Sequence, residues 1–405
     1  NAVVARLEDS NEQVCLLARK TLGKLEPATL AQHAIAVVAR LEDSNVQLRT
    51  AALQTLGQLD PAALAQHANA VVARLEDSFR GVRLLALGTM GKLEPATLAQ
   101  HADAVVARLS DSSDDEAVRM KALDTLGNLE PSTLAQHADA VVAKLEDSVW
   151  RVRKMALQTL GKLDPAALAQ HANAVVKRLA DSFRAVRLLA LETLGLLEPA
   201  MLAQHVNVVA ARLEDSEEQV CLLAWKTLGK LEPATLAQHA DALVARLEDS
   251  NVQLRTAAWK TLGQLDPAAL AQHAPAVVAR LEDSDVSVRR LAWDTLGKLE
   301  PTMFAQHANG VLARLEDSNE QVRIFALATL GKLEPASLAQ HANALVARLE
   351  DSNEQVRLFA LETLVQLEPA SLAQHANALV ARLEDSNEQV CLLAWKTLGK
   401  LEPAT

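Results

Sequence analysis

The sequence lacks any long apolar run, although half of its residues are hydrophobic. Arginine, glutamate and aspartate recur throughout, so no stretch approaches the roughly 18 apolar residues that span a membrane. The sequence also lacks an excess of positive charge, because its formal net charge is -11. Such a chain has no bulk attraction to phosphate backbones or anionic membranes. We therefore expect a soluble protein that binds neither nucleic acid nor a membrane.

Cysteine is nearly absent as well. The three cysteines, Cys15, Cys221 and Cys391, occupy the same position of an internal repeat and stand too far apart along a straight stack to pair. No residue with catalytic spacing accompanies them. We therefore expect inert, reduced thiols and a cytoplasmic location.

Histidines mark the internal repeat. All eleven lie 34 residues apart, except for one step of 36 residues between His101 and His137. This period predicts a solenoid in which each unit buries its apolar face against its neighbours. We expect residues 1–405 to form one continuous array of about twelve units, with a two-residue insertion near 111–116. Because the chain starts and stops inside a repeat, we expect a segment that lacks its native caps.

The second half of each repeat has the apolar period of a helix, here called helix B. In Ser216–Leu231, apolar residues spaced from Val220 by three, four, eight and eleven positions fall on one stripe. Ser216 and Gln219 match the S-x-x-Q capping box, which predicts the helix start. The same pattern recurs at Ser10/Gln13, Ser44/Gln47, Ser250/Gln253, Ser318/Gln321, Ser352/Gln355 and Ser386/Gln389. The Glu-Pro or Asp-Pro step that follows predicts the helix end.

The first half of each repeat is also helical in pattern, but with an expected interruption. Asn or Asp usually stands two residues after the histidine, and Pro275 stands there once. These residues are unfavourable inside a helix and favourable in its first turn. We therefore predict that the first helix is kinked or split near the histidine.

The pattern Asp-Ser-x-x-x-Val-Arg, followed by Ala-x-x-x-Leu-Gly, resembles the HEAT repeat in its short, phycobilin-lyase-like form across essentially the whole chain. Tetratricopeptide repeats share the length but use tyrosine, which is absent here. The resemblance implies an all-α fold, an α-solenoid superhelix of 34-residue helical repeats. It also implies that the Asp before helix B pairs with the Arg of the neighbouring helix B as a structural ladder. The Val-Arg arginines are Arg83, Arg119, Arg153, Arg187, Arg289, Arg323 and Arg357, and the three cysteines replace the arginine where a ladder pair should be missing.

The repeated histidines and the repeated tryptophans are two candidate binding sites. Equivalent histidines in adjacent repeats are expected 8–10 Å apart, the spacing of packed helices, which is too far to share a metal ion. We expect a structural role for them, and neither a metal nor a cofactor. Trp225, Trp259 and Trp293 occupy one helix B position where most repeats have leucine. Core packing is the first interpretation of this row, and a stacked strip that binds a partner is the second.

The irregular part of the array is a second candidate. Most helices B begin with an acidic or neutral pair, whereas three repeats near one another have Phe79-Arg80, Trp150-Arg151 and Phe183-Arg184. We call these six residues the aromatic-basic edge. Aromatic residues and arginine are typical of interface hot spots, although sequence drift explains them equally well.

These observations predict a non-enzymatic scaffold that presents a concave groove and the aromatic-basic edge, in repeats three to six, to a protein partner. No catalytic residue is expected. One alternative is a structural spacer or an artificial array without a ligand, in which the edge does nothing. Another is a subunit of a lyase-like enzyme, which would need a nucleophile or carboxylate pair outside the repeat pattern.

Overall fold

The computed structural model describes residues 11–110 and 115–401, together with positions 3, 6 and 9. Throughout these residues the chain is helical and contains no strand. None of the described helices is both long and apolar enough to cross a membrane. The chain forms two compact units that divide between Thr227 and Leu228. The predicted insertion falls mainly on residues 111–114, which lie outside the described part.

The first helix of each repeat is split, as predicted. Its first piece starts at the proline, whose fixed φ and missing N–H suit a first helical position. These pieces are Pro27–Ala31, Pro61–Ala65, Pro95–Ala99, Pro131–Gln136, Pro165–Gln170, Pro199–Ala203, Pro233–Ala237, Pro267–Ala271, Pro301–Ala305, Pro335–Ala339 and Pro369–Ala373. The histidine then leaves the helical conformation, with φ -112° and ψ 3° at His33.

A second piece follows each histidine. These pieces are Ala34–Val38, Ala68–Val72, Ala102–Ser110, Ala138–Ala143, Ala172–Lys177, Val206–Ala210, Ala240–Ala245, Ala274–Ala279, Ala308–Leu312, Ala342–Ala347 and Ala376–Ala381. Most continue into a short 3-10 turn, at Ala39–Glu42, Ala73–Glu76, Lys144–Glu146, Arg178–Ala180, Ala211–Glu214, Arg246–Glu248, Arg280–Glu282, Ala313–Glu316, Arg348–Glu350 and Arg382–Glu384. The Asp after each such turn is extended, as at Asp43 with ψ 141°, so the chain reverses there towards helix B.

The helices B are regular and are numbered here in chain order. They are α1 Glu12–Leu22, α2 Val46–Leu56, α3 Arg80–Met90, α4 Glu116–Leu126, α5 Trp150–Leu160, α6 Arg184–Leu194, α7 Glu218–Leu228, α8 Val252–Leu262, α9 Val286–Leu296, α10 Glu320–Leu330, α11 Glu354–Leu364 and α12 Glu388–Leu398. Their apolar stripes face the core; in α3, Val82, Ala86, Leu87 and Met90 are fully buried.

The start of helix B differs from the predicted capping box. The N-cap of α2 is Asn45, whose side chain accepts a hydrogen bond from the N–H of Gln47 at 2.8 Å. The preceding Asp43 accepts from the N–H of Asn45 at 2.9 Å. The serine is therefore not the cap, and the S-x-x-Q prediction is wrong there and at Ser250, Ser318, Ser352 and Ser386, where the following Asn caps in the same way. Ser10 lies outside the described residues, but Asn11 also accepts from Gln13. Glu217, not an asparagine, follows Ser216 and donates its N–H to Asp215 at 3.1 Å.

The end of helix B is completed by the next repeat. Lys162 donates to the carbonyl oxygen of Gly127, just beyond α4, at 2.8 Å. A Cβ on Gly127 would lie 2.8 Å from the Lys162 ammonium nitrogen, so glycine gives the lysine room. Lys92, Lys298, Lys332 and Lys400 make the equivalent bond. This contact neutralises carbonyl groups at the negative end of the helix.

Candidate functional site

The Asp before helix B and the Arg of the preceding helix B form an ion pair across the repeat boundary, and each such pair is called a rung here. The guanidinium of Arg153 donates to the Asp181 carboxylate at 2.7 and 2.8 Å. It also donates to the carbonyl oxygens of Asp147 and Ser148 at 2.9 and 3.2 Å. Asp181 in turn accepts from the N–H of Phe183 at 3.0 Å. One rung therefore fixes the turns before two successive helices B.

Among the described residues, rungs are present at seven positions: Arg49–Asp77, Arg119–Asp147, Arg153–Asp181, Arg187–Asp215, Arg255–Asp283, Arg323–Asp351 and Arg357–Asp385. Arg83 donates to the carbonyl of Asp77, and the acid 28 residues on, Asp111, lies outside the described part of the chain. Arg289 does not pair with Asp317 among the residues that the structure describes. The sequence resemblance therefore gave the residues of the ladder, but not which of its pairs would form.

Cysteine replaces only part of the arginine's role. The thiols of Cys15, Cys221 and Cys391 donate to the carbonyl oxygens of Asp9, Asp215 and Asp385 at 2.9, 3.2 and 3.0 Å. These are the carbonyls that the arginines of other repeats contact. A thiol is too short to reach a carboxylate in the next repeat, so only the local contact survives.

The structure brings two residues of the aromatic-basic edge together and separates the third aromatic. The rings of Trp150 and Phe183 stack with centroids 5.3 Å apart and an angle of 16°. Arg151 lies over Trp150 at 5.1 Å, and Arg153 lies over Phe183 at 5.8 Å. Phe183 is 45% exposed and Trp150 is half-buried. This stacked pair leaves a flat aromatic surface in contact with solvent.

Phe79 stands two repeats away and packs locally. A Cβ on Gly81 would lie 2.8 Å from its ring, so the ring lies across Gly81. The expected equivalence of the three aromatics was also wrong by one residue. Phe79 and Phe183 precede α3 and α6, whereas Trp150 is the first residue of α5.

The arginines of the edge are paired with acids of adjacent repeats. Arg80 pairs with Asp115, Arg151 with Glu116 at 3.6 Å, and Arg184 with Glu217 at 3.3 Å. All three guanidinium side chains remain 52–55% exposed. Because such surface pairs contribute little to stability, these arginines can exchange partners at low cost.

A cavity of about 470 Å³ adjoins the edge on the helix B side. Its lining is mostly apolar, from Leu84, Met120 and Met155, with Arg151 and Glu116 at its border. Methionine adapts its shape to different partners. Since Arg151 borders the cavity and also covers Trp150, the two features form one surface, called here the Trp150–Met155 surface.

The tryptophan row is part of the core. Trp225, Trp259 and Trp293 are only 2%, 1% and 3% exposed. The three rings therefore do not form an exposed strip for a partner. The first interpretation, core packing, agrees with this burial.

The histidine row lies along the split first helices. Nδ1 of His137 lies 3.7 Å from Asp103, and Nδ1 of His171 lies 3.8 Å from Asp139 in the preceding repeat. At His205 the equivalent residue is Asn173, and burial lowers the pKa of His205 below its ordinary value. No group of three or more His, Cys, Asp or Glu in the described residues is arranged to hold a metal ion.

Comparison with known proteins agrees with this architecture. The family model of the sister chromatid cohesion protein PDS5 matches residues 264–401. A chain from a structure of the phosphorylation-controlled interaction between cadherin and beta-catenin superposes with a TM-score of 0.50 at 15% identity, over 98% of this chain and 99% of that one. A chain from a Kap95:Nup1 complex gives 0.53 at 13% identity, over 98% of this chain and 63% of that one. No curated protein sequence matches.

The class of protein follows from the fold. The chain is an α-solenoid built from helical repeats. The resemblance of its repeats to the HEAT type agrees with this fold.

Proposed function

We propose that this chain is a non-enzymatic scaffold that binds a protein partner on the Trp150–Met155 surface. The exposed stack of Trp150 on Phe183 is the observation that supports this proposal most directly. Stacked aromatic rings beside arginine and an apolar cavity have the composition of an interface hot spot. The solenoid neighbours come from structures concerned with protein complexes, which supports the same function class.

The local structure favours a binding role for Trp150 and Phe183 over neutral sequence drift. In α10, α11 and α12 the residues equivalent to Phe183 and Trp150 are Asn and Glu, and the Asn caps the helix. Phe183 provides no side-chain cap, so the aromatic residue forgoes about 1 kcal/mol of capping energy. The stack recovers only about 0.5–1.5 kcal/mol beyond its buried area. Folding alone therefore gives little reason for two half-exposed rings at this position.

The test uses residues that the repeat itself provides. In the double variant Trp150→Glu, Phe183→Asn, each position receives the residue that α10, α11 and α12 have at the equivalent place. This variant is expected to fold at least as well as the parent. A display library of random peptides is selected on the parent chain, and each enriched peptide is measured on both proteins. The proposal expects affinity to fall by at least about tenfold, or 1.4 kcal/mol, on the double variant.

One control variant tests whether the effect is specific to the stack. Phe79→Asn removes an edge aromatic that lies apart from the stack, and should leave affinity unchanged. Peptides that bind the double variant as tightly as the parent would overturn the proposed surface, and a failure to enrich any peptide would favour the structural spacer. We also propose a reducing, cytoplasmic location, because the chain has only three cysteines, at equivalent positions of repeats that lie far apart in the sequence.

A further inference from the structure

One expected rung of the second unit, between Arg289 and Asp317, does not form among the described residues. Arg289 donates to the carbonyl oxygens of Asp283 and Ser284 at 2.6 and 3.1 Å, as other ladder arginines do. Within the described part of the chain, however, no carboxylate forms an ion pair with it. The rungs on either side, Arg255–Asp283 and Arg323–Asp351, each have a single hydrogen bond of 2.9 Å. The ladder is therefore weakened around α9 and broken at its centre.

Two large rings account for the opening. Trp293 occupies the position that is leucine in seven other repeats, and it stacks on Phe325 of α10 with centroids 6.2 Å apart. Helices α9 and α10 consequently lie farther apart than α8 and α9 or α10 and α11. The guanidinium of Arg289 does not pair with Asp317 across this wider gap.

The gap contains a cavity of about 360 Å³, which is within the size range of ligand pockets. Trp293, Val322 and Phe325 provide its apolar walls, and Val286, Arg289, Arg290, Asp294, Asn319 and Gln321 surround them. Trp293 is 3% exposed, and its indole N–H has no hydrogen-bond partner among the described residues. Arg290 approaches Asp294 only at 4.0 Å. Two cations thus face one carboxylate, so the cavity carries excess positive charge.

We propose that this cavity binds an acidic peptide segment of a partner protein, in which a bulky apolar side chain stands next to an Asp or Glu. The apolar side chain packs in the cavity against Phe325, Val322 and the edge of Trp293 that lines it. The carboxylate pairs with Arg289, taking the place that an Asp of the next repeat takes on the closed rungs. Arginine binds carboxylates through charge-assisted bonds of defined geometry, which selects an acid over an amide. The site lies in the second unit and does not depend on the Trp150–Met155 surface.

The probe is a set of three fluorescein-labelled octapeptide amides with Gly-Ser flanks. Their central residues are Glu-Trp, Gln-Trp and Glu-Ala. Fluorescence anisotropy with the full chain should show the Glu-Trp peptide binding at least about tenfold more tightly than either of the others, since a charged hydrogen bond and a buried aromatic each contribute that much. Equal affinity for the three peptides, or no binding, would overturn the proposal.

The chain offers a matched pair of variants. Trp293→Leu restores the usual leucine, should let α9 and α10 approach and close the rung, and should reduce affinity for the Glu-Trp peptide by at least about tenfold. Trp259→Leu makes the same change at a closed rung and should leave binding intact. Arg289→Gln should abolish the preference for Glu over Gln. Full binding by Trp293→Leu would show that the cavity is not the site. The Trp150→Glu, Phe183→Asn variant should bind as the parent does, which separates this proposal from the proposed function.

Discussion

Arg153 and Asp181, 28 residues apart in the chain, share two hydrogen bonds of 2.7 and 2.8 Å with side chains only 10% and 2% exposed. Burial opposes ionisation of Asp181. The hydrogen bonds from Arg153 and from the N–H of Phe183, with the charges of Arg153 and Arg178, outweigh burial and lower the pKa of Asp181 below its ordinary value. The rung is therefore an ion pair whose strength depends on pH.

Asp181→Asn should destabilise the chain by about 3–5 kcal/mol at neutral pH, because it leaves a buried guanidinium without its counter-charge. A carboxyl group whose pKa is lower in the folded state contributes its stability above its unfolded pKa, near 4. That contribution is lost as the pH falls through the folded pKa. Urea unfolding from about pH 7 to about pH 3 should show the gap between parent and variant narrowing in acid. Asp103→Asn, at a 98% exposed carboxylate, is the control, and a gap independent of pH would contradict the argument.

Cys15→Arg should create a rung. Cys15 already donates to the carbonyl of Asp9 at 2.9 Å, where the guanidinium of a ladder arginine would donate. Asp43, which lies 28 residues on, now pairs with Arg40 at 3.6 Å. We expect a gain of about 1 kcal/mol or more, measured by urea unfolding and by amide exchange in α1. Cys15→Ala, which offers no guanidinium, should not stabilise the chain, and an arginine variant no better than alanine would refute the prediction.

Leu196→Lys should add a helix cap. Leu196 stands where other repeats have the capping lysine, is 47% exposed, and lies against Gly161 after α5. A lysine there can donate to the Gly161 carbonyl, as Lys162 does to Gly127. The expected gain is about 0.3–1 kcal/mol at low ionic strength, seen as a higher melting temperature that falls back in high salt. Leu196→Gln also removes the exposed apolar side chain but adds no charge. If glutamine stabilises the chain as much as lysine does, the lysine charge is not the cause of the gain in stability.

Asn173→Asp should raise the pKa of His205. It supplies the carboxylate that Asp139 supplies to His171 at 3.8 Å, and a nearby negative charge favours the protonated ring. Burial now lowers the pKa of His205, so the folded state resists protonation and stability falls as the pH drops below about 6.5. The variant should weaken that acid sensitivity. Titration of the His205 ring by NMR measures the shift, and an unchanged pKa would contradict the geometry.

The Asn, Asp or Pro two residues after each histidine predicted the split first helices, and the resemblance to HEAT repeats implied the residues of the ladder. Both depend on local pattern: the proline, the histidine and the Asp-Ser step recur in one register. The helix cap was missed because Asn lies one residue after Ser in the same stretch, so the S-x-x-Q pattern coincides with an Asn cap. The lysine caps were missed although Leu-Gly-Lys recurs, because their acceptors lie 35 residues earlier.

Which residues form the candidate sites could not be predicted, because this depends on the distance between neighbouring helices. No local sequence pattern gives that distance. Trp259 and Trp293 occupy the same position and are both buried, yet Trp293 stacks on a ring of the next repeat and lines a cavity with it. In the same way, the edge arginines are partly neutralised by acids that only the stacking of repeats brings near, as Glu116 is brought to Arg151.

The Arg–Asp rungs and the lysine caps that join successive repeats use fixed chain offsets, 28 and 35 residues. Deleting or duplicating one complete 34-residue unit therefore still presents each ladder arginine and each capping lysine with an equivalent acceptor. Unequal recombination between repeats is thus structurally tolerated at almost any join. The near identity of Ser10–Ala34 and Ser216–Ala240 fits a gene that has changed its length in this way, with selection acting on the few positions where copies differ.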